Sequence, residues 1–131
     1  MEVTLGAGRL DPALRRPRAV PQRRIYESFF HGMLQLFVLQ QAAREPVYGG
    51  ALAKLFRRHG YEISPGSLYP LLHSLEREKL VRRRSRLVHG RERKYYELTA
   101  LGRACLETVR VELAGLVRGV LFDDPGAPTE H

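Results

Sequence analysis

The stretch from Ser64 to Leu98, SPGSLYPLLHSLEREKLVRRRSRLVHGRERKYYEL, constrains the fold more than any other part of this chain. A serine followed by Pro65 is typical of a helix start, because the serine side chain caps free backbone N–H groups and proline suits the first helical position. Four leucines then recur at helical spacing and predict a helix that is buried along one side. They are Leu68, Leu71, Leu72 and Leu75.

The side of this helix that faces away from the leucines carries small, polar and basic residues. Pro70 lies among them and removes one backbone hydrogen bond. From the residues alone, two alternatives remain: a bent but continuous helix, or a helix that restarts with Ser67 as its cap. In both cases the outward-facing set is Gly66, Pro70, His73 and Arg77, flanked by Ser67, Tyr69 and Ser74.

A β-hairpin is expected next, with strands over Leu80–Arg84 and Arg93–Leu98 and a loop from Ser85 to Arg91. Gly90 suits a tight turn near the tip of that loop. Seven arginine and lysine residues lie between Arg82 and Lys94, against one acidic residue. Because strand residues alternate between faces, some of these cations point away from any partner. A cationic hairpin beside a one-sided helix suits a polyanion, and duplex DNA is the first candidate.

Two further helices are expected before this stretch. Apolar residues recur at three- and four-residue steps from about Tyr26 until Glu45-Pro46, where the residue before proline disfavours the helical conformation. A second helix, from about Tyr48 to His59, turns Leu52, Leu55 and Phe56 inward and ends at Gly60 in a left-handed cap. Three helices and a hairpin form a winged helix-turn-helix, expected here over residues 25–98.

The last predicted helix is capped by Thr99 and runs to about Leu121. Its apolar residues step by four, four, four, three and four, which is close to the seven-residue repeat of a helix that packs along another helix. The stripe therefore requires a surface to lie against. It comprises Leu101, Cys105, Val109, Leu113, Leu116 and Val120.

The two ends of the chain have the composition of flexible segments. Residues 1–24 contain three prolines and six arginines against two acids, which predicts a flexible basic arm able to add phosphate contacts. Residues 123–131, with two prolines and a glycine, are expected to be a disordered tail. The expected fold class is therefore mainly α with a small β-hairpin: a winged helix-turn-helix domain, followed over residues 99–122 by one long helix.

Composition narrows the function. The 131 residues suit one domain, and 22 basic against 14 acidic residues give a net charge of +8, which favours nucleic acid as a partner over an anionic membrane. A single cysteine excludes an internal disulfide, and the five histidines lack metal-ligand spacing, so we expect no metal and no cofactor. No phosphate loop or nucleophile motif supports an enzyme. Without a membrane span or signal peptide, the expected location is the cytoplasm.

Specific motifs in the chain resemble those of the PadR family of bacterial transcriptional regulators. The serine–glycine–leucine–tyrosine–proline run and the arginine–lysine–tyrosine–tyrosine strand are specific as a pair, and the similarity covers roughly Phe30 to Leu106. The motifs that carry it are Tyr48-Gly49, Ser64-Pro65-Gly66-Ser67-Leu68-Tyr69-Pro70-Leu71-Leu72, Leu75-Glu76, Leu80-Val81, Gly90-Arg91-Glu92-Arg93-Lys94-Tyr95-Tyr96-Glu97-Leu98-Thr99 and Gly102.

The resemblance implies a homodimeric DNA-binding repressor whose C-terminal helix, with the stripe named above, forms much of the dimer interface. A two-fold dimer implies a roughly palindromic duplex operator. The resemblance also implies that Pro70 lies within a continuous recognition helix. We expect Tyr95 and Tyr96 to pack the wing on that helix, with a phosphate contact by a tyrosine hydroxyl as the alternative. By the match, DNA contacts fall on Ser64, Ser67, Tyr69 and Pro70 and on Gly90 and Arg91. From the exposed side of the helix we add His73 and Arg77 as readers of base edges, and from the charge pattern Arg84, Arg86 and Arg93 as phosphate contacts.

One departure concerns ligands. Members whose effector chemistry is best understood tend to carry a tryptophan in the wing or the dimer helix, and this chain has none. An aromatic drug sandwiched between tryptophans is therefore unsupported. If a small-molecule effector binds, we expect it at the dimer interface, between Phe30, Met33 and Phe37 and the final helix, although ordinary core packing is the favoured interpretation of these residues.

Two rival interpretations remain open. The chain also suits a winged helix regulator of the multiple-antibiotic-resistance type. From another class, it suits a basic module that binds nucleic acid or a membrane surface without sequence specificity.

Overall fold

A computed structural model describes residues 23–123, 125 and 126. This part of the chain is mostly helical and contains one antiparallel hairpin, as expected. In chain order its elements are α1 (Arg23–Arg44), α2 (Gly49–Arg58), α3 (Pro65–Arg77), β1 (Val81–Val88), β2 (Arg91–Leu98) and α4 (Ala100–Leu121).

The leucine stripe of α3 forms the centre of the core. Its four members are 3% exposed or less, which confirms the predicted orientation of this helix. The helix continues through Pro70, so a restart at Ser67 is excluded. Around the stripe pack apolar residues of the other elements: Val38, Leu39, Ala42, Val47, Leu52, Phe56, Val81, Tyr96 and Leu106.

The start of α3 differs in one detail from the expectation. Ser64 occupies the cap position, and Pro65 is the first helical residue, as predicted. Among the described residues, however, the Ser64 side chain makes no capping bond to backbone. Its hydroxyl donates to Ser67 Oγ at 3.3 Å, while the Ser67 N–H donates to the Ser64 backbone carbonyl at 3.0 Å.

The hairpin is longer than predicted. The seven-residue loop was wrong: β1 extends to Val88, β2 begins at Arg91, and only His89 and Gly90 form the turn. Both residues have positive φ, 51° and 76°, as in the type I′ turn whose twist matches that of paired strands. Arginine and serine signal strands weakly, but continuous ladder pairing from Val81–Leu98 to Val88–Arg91 keeps them extended.

A third segment joins the sheet, and sequence reasoning missed it. The Val47 N–H donates to the Tyr96 carbonyl at 2.9 Å, and the Tyr96 N–H donates to the Val47 carbonyl at 2.7 Å. This single bridge pairs the connection between α1 and α2 with β2. The helical unit and the wing are therefore joined through backbone as well as through side chains.

Several element boundaries also move. α1 begins at Arg23 and not near Tyr26, so the last two residues of the predicted arm are helical, while residues 1–22 lie outside the described residues. α2 begins after Tyr48 and ends at Arg58, and Gly60 has the predicted left-handed conformation, with φ of 89°. Of the predicted tail, residues 124 and 127–131 lie outside the described residues.

α4 is attached to the start of the wing through Thr99, which caps the helix as predicted. Its Oγ1 accepts the Gly102 N–H at 2.9 Å and lies 2.6 Å from the Lys79 carbonyl oxygen. The Thr99 N–H donates to the Leu80 carbonyl at 3.1 Å. Gly102 is buried against that same carbonyl, so closely that a Cβ would overlap the Leu80 oxygen.

In the described part of the chain, every helix is too short or too polar to cross a membrane.

We expect Gly102→Ala to destabilise the protein by about 1–3 kcal/mol, because the new methyl group must displace backbone at Leu80. Urea unfolding followed by circular dichroism measures this. The matched control is Gly66→Ala in α3, where among the described residues a Cβ meets only Ser64 Oγ, at 3.8 Å. That variant should gain about 0.5–1 kcal/mol from helix propensity. Equal stability of the two variants would refute the tight contact at Gly102.

Candidate nucleic-acid interface

The outward side of α3 lies free of the core, as the leucine stripe requires. Every residue of this helix that was predicted to contact DNA is exposed. Tyr69 is 42% exposed and its ring leans back on α2, where its hydroxyl closes over Gly49. The structure thus brings the predicted reading residues together on one helix face, and their contact with DNA remains a prediction. They are Ser64, Ser67, Tyr69, Pro70, His73 and Arg77.

The strand register sorts the wing cations onto two faces. Arg82 pairs with Glu97, Arg84 with Tyr95 and Arg86 with Arg93 across the ladder. Residues that face each other across paired strands share one face. We call this side the arginine face; its charged and aromatic members are Arg82, Arg84, Arg86, Arg91, Arg93, Tyr95 and Glu97.

The opposite face of the hairpin holds it to the core. Tyr96 is 2% exposed and Val81 is also buried, which confirms the predicted structural role of Tyr96. Arg83 lies on this face as well and pairs with Glu76 of α3, with Nε 3.4 Å from the carboxylate. Arg83 therefore ties the wing to the end of α3.

Three wing arginines are engaged by acids. Glu97 accepts hydrogen bonds from Arg82 Nη2 at 2.9 Å and from Arg84 Nε at 2.6 Å. These hydrogen bonds lower the pKa of Glu97, and the bond from Arg82 has the larger effect. The Glu97 carboxylate is therefore charged at neutral pH and neutralises part of the arginine face. Arg84 was predicted as a DNA contact, and the structure places it in this ion pair.

The distal half of the wing carries the cations that are free to meet an anion. Arg86, Arg91 and Lys94 are exposed and have no ion-pair partner among the described residues. Arg93 differs, since it is half-buried and its guanidinium carbon lies 4.1 Å from the centre of the Tyr48 ring. Gly90 sits in the turn at the wing tip, as predicted.

A basic groove that sequence reasoning missed lies beside the arginine face. It has a volume of about 610 Å³ and runs between the end of α1, α2 and the wing. Arg44, Arg58 and Arg86 line it together with Tyr48 and Tyr95. Tyr48 and Tyr95 belong to the quoted motifs and Arg86 was a predicted DNA contact, but Arg44 and Arg58 carried no sequence signal, because these segments are far apart along the chain.

The predicted dimer stripe remains largely uncovered. Within the described chain, Gly102 and Leu106 are the buried residues of α4, so its last fifteen residues contribute none. Cys105 and Leu113 are half-buried, and the other predicted members are exposed: Leu101, Val109, Leu116 and Val120.

The three candidate effector residues lie together in one cleft, and its place at a dimer interface stays a prediction. Phe30, Met33 and Phe37 line an apolar cleft of about 240 Å³ against the end of α2 and Tyr61. Among the described residues of this chain, α4 contributes nothing to the cleft. Burial raises the pKa of Tyr61, with a smaller effect from Tyr26. The other residues that line the cleft are Phe29, Leu34, Phe56 and His59.

Three helices with an outward-facing third helix and a basic antiparallel wing define a winged helix DNA-binding protein. The model of the transcriptional regulator PadR-like family matches residues 38–108, and the chain belongs to this family. The resemblance seen in the sequence is thus confirmed, and the protein is a DNA-binding transcriptional regulator.

Similar proteins agree with this assignment. The transcriptional regulator Rv3488 of Mycobacterium tuberculosis is 43% identical over 93 residues, which cover 71% of this chain and 87% of that protein. A PadR-like regulator of Bacillus cereus superposes with a TM-score of 0.67 at 30% identity, covering 76% of this chain and 99% of the other. A PadR family regulator of Eggerthella lenta superposes with a TM-score of 0.64 at 35% identity, covering 75% and 87%.

We expect Glu97→Gln to strengthen binding to duplex DNA, because it releases Arg82 and Arg84 from their shared carboxylate. Fluorescence anisotropy at several salt concentrations should show a several-fold gain at low salt and a steeper salt dependence, by roughly one unit of log–log slope. The control is Glu92→Gln, which removes the same charge from the other face of the wing. An identical gain in both variants would show that only net charge matters.

Proposed function

We propose that the protein is a homodimeric repressor that binds a palindromic operator. The observation that carries this proposal is the uncovered apolar side of α4. Val109, Leu116 and Val120 are 39%, 68% and 80% exposed and lie along one side of a 22-residue helix. A contiguous apolar stripe of this length is uncommon on a monomer and is typical of a protein–protein interface.

A second copy of the chain is the natural partner for this stripe. The steps between its apolar residues approach a seven-residue repeat, which lets two identical helices pack along each other. α1 offers more apolar surface, since Phe29 is 65% exposed and Met33 41%. A two-fold arrangement repeats the same contacts on both copies and presents two reading helices.

The dimer dictates the form of the operator. Two α3 helices related by a two-fold axis require inverted half-sites about one helical turn apart. On each half-site, exposed side chains of α3 meet base edges while the distal wing cations neutralise phosphates. Phosphate contacts supply most of the affinity, and the base contacts choose the sequence. Repression follows from occupying a promoter that contains such a palindrome.

Selection from a random duplex library tests the proposal directly. The enriched duplexes should contain an inverted repeat and should stay bound against excess unrelated DNA. Adding the protein to transcription from a promoter with that repeat should reduce the transcript. Equal displacement by heparin, unrelated DNA and the selected duplex would contradict sequence-specific binding, and an increased transcript would contradict repression.

A substitution in the apolar stripe of α4 tests whether this stripe forms the dimer interface. Leu116→Asp should produce a monomer in analytical ultracentrifugation, because a carboxylate cannot be buried unpaired between two helices. Its affinity for the selected duplex should fall by at least about a hundredfold, since one half-site loses its partner. The control is Val111→Asp, a similarly exposed apolar residue on the other side of α4, which should remain a dimer. A dimeric Leu116→Asp variant would place the interface elsewhere.

The cleft on α1 supports a small apolar effector as a second part of the proposal. Its 240 Å³ would hold a compact molecule of two or three rings, and its walls are almost wholly apolar, apart from His59 and Tyr61. Because exposed Phe29 and Met33 belong to both the cleft and the free surface of α1, a bound molecule would disturb the contact with a second copy.

We expect the neutral apolar dye N-phenylnaphthylamine to fluoresce when it enters this cleft, and to weaken binding to the selected duplex. Met33→Asp should abolish the fluorescence by placing a carboxylate at the apolar wall. Val111→Asp, far along α4, is the control and should bind the dye normally. Equal dye binding by both variants would refute the cleft as its site.

A further inference from the structure

The side chain of Arg93 is held where the arginine face of the wing meets the start of α2. Its guanidinium carbon lies 4.1 Å from the Tyr48 ring centre, and Nη1 donates to the Tyr95 hydroxyl at 3.4 Å. The Tyr48 and Tyr95 rings meet edge to face at 5.4 Å between centres. Arg86 stacks on Tyr95, at 4.9 Å. A cation held over one ring and bonded to another has little rotational freedom.

These contacts continue from the wing to the recognition helix. Tyr48 is the cap residue of α2, and its neighbour Gly49 is covered by the Tyr69 hydroxyl from α3. A Cβ at Gly49 would collide with that hydroxyl, so the close approach depends on glycine here. Tyr69, Gly49, Tyr48 and Arg93 thus form one packed series from the reading side of α3 to the wing.

Arg93 lies near the tip of the hairpin, so its contact with Tyr48 restrains the part of the wing farthest from the core. Arg93 faces Arg86 in the ladder, only two pairs from the Val88–Arg91 pair that closes the turn. In the described structure, the wing beyond this level has no buried residue. The backbone bridge from Val47 holds β2 only at Tyr96, near the base. The distal half of the wing is therefore held to the helices mainly by the contacts of Tyr48 with Arg93 and Tyr95.

We propose that Tyr48, Tyr95 and Arg93 are positioning residues that fix the direction of the wing relative to α3, so that Arg86 and Arg91, on the arginine face, meet phosphates beside the groove that α3 reads. This inference rests on the proposed function. It also assigns Arg93 a different role from that of a simple phosphate contact. Without the contact the wing samples more directions, and ordering it on DNA then costs binding free energy.

A double-mutant cycle between Tyr48 and Arg91 tests the proposal, because Arg91 reaches DNA only if the wing is correctly directed. In the wild-type background, Arg91→Gln should weaken binding to the selected duplex and reduce the log–log salt slope by roughly one. Tyr48→Leu should weaken binding about tenfold, and Arg91→Gln should add little in that background. Tyr48→Phe keeps the ring and should bind within about twofold of wild type.

The controls separate positioning from folding and from charge. Lys94→Gln removes an exposed wing charge from the opposite face and should have the same effect in both Tyr48 backgrounds. If Tyr48→Leu does not fold, Arg93→Lys replaces it, since lysine keeps the charge but loses the planar stack. Thermal unfolding of each variant confirms that the fold is retained.

The outcomes distinguish the positioning role of Tyr48 and Arg93 from the proposed function, which is sequence-specific DNA binding. Additive effects of Tyr48→Leu and Arg91→Gln, or equal losses in Tyr48→Phe and Tyr48→Leu, would overturn the positioning role while the selected duplex still bound specifically. Failure of the wild-type protein to prefer that duplex over unrelated DNA would instead overturn the proposed function. Hydroxyl-radical footprints should lose protection at the flanks alone in Tyr48→Leu.

Discussion

Burial of one side of α3 is the constraint on which the rest of this structure depends. Each fully buried leucine stabilises the fold by about 1.5–3 kcal/mol, and the four leucines together hold the helix at one rotation about its axis. The opposite side is then forced outward, where Pro70 is tolerated because the Gly66 carbonyl that it leaves unbonded faces solvent. The candidate reading surface is thus a consequence of the core.

The wing shows how geometry divides a set of like charges. Strand alternation places five arginines on one face, and Glu97 pairs with the two nearest the base. Arg93 is held by tyrosines, and Arg86, Arg91 and Lys94 have no acidic partner in the part of the chain that the structure describes. A run of similar residues therefore includes members that stabilise the wing, members that direct it and members available to phosphate. Charge counting alone treats them as equivalent.

The features that sequence reasoning predicted well depend on nearby residues. The stripe of α3, the left-handed Gly60 and the Thr99 cap each follow from residues within a turn or two of one another. The features that it missed join distant segments: the Val47–Tyr96 bridge, the stacking of Arg93 on Tyr48 and the cleft between α1 and the end of α2. The hairpin was predicted too short because ladder pairing overrides the weak strand preference of arginine and serine.

By itself the sequence determined the helices, the winged helix class, the excess of positive charge and, through specific motifs, the family. Apolar periodicity and capping act over a few residues, so one chain suffices to read them. Only the tertiary structure decided which arginines are neutralised, that Tyr48 and Gly49 connect the wing to α3, and that the final helix leaves its apolar stripe uncovered. Those outcomes depend on which distant surfaces meet, and a linear pattern does not specify that.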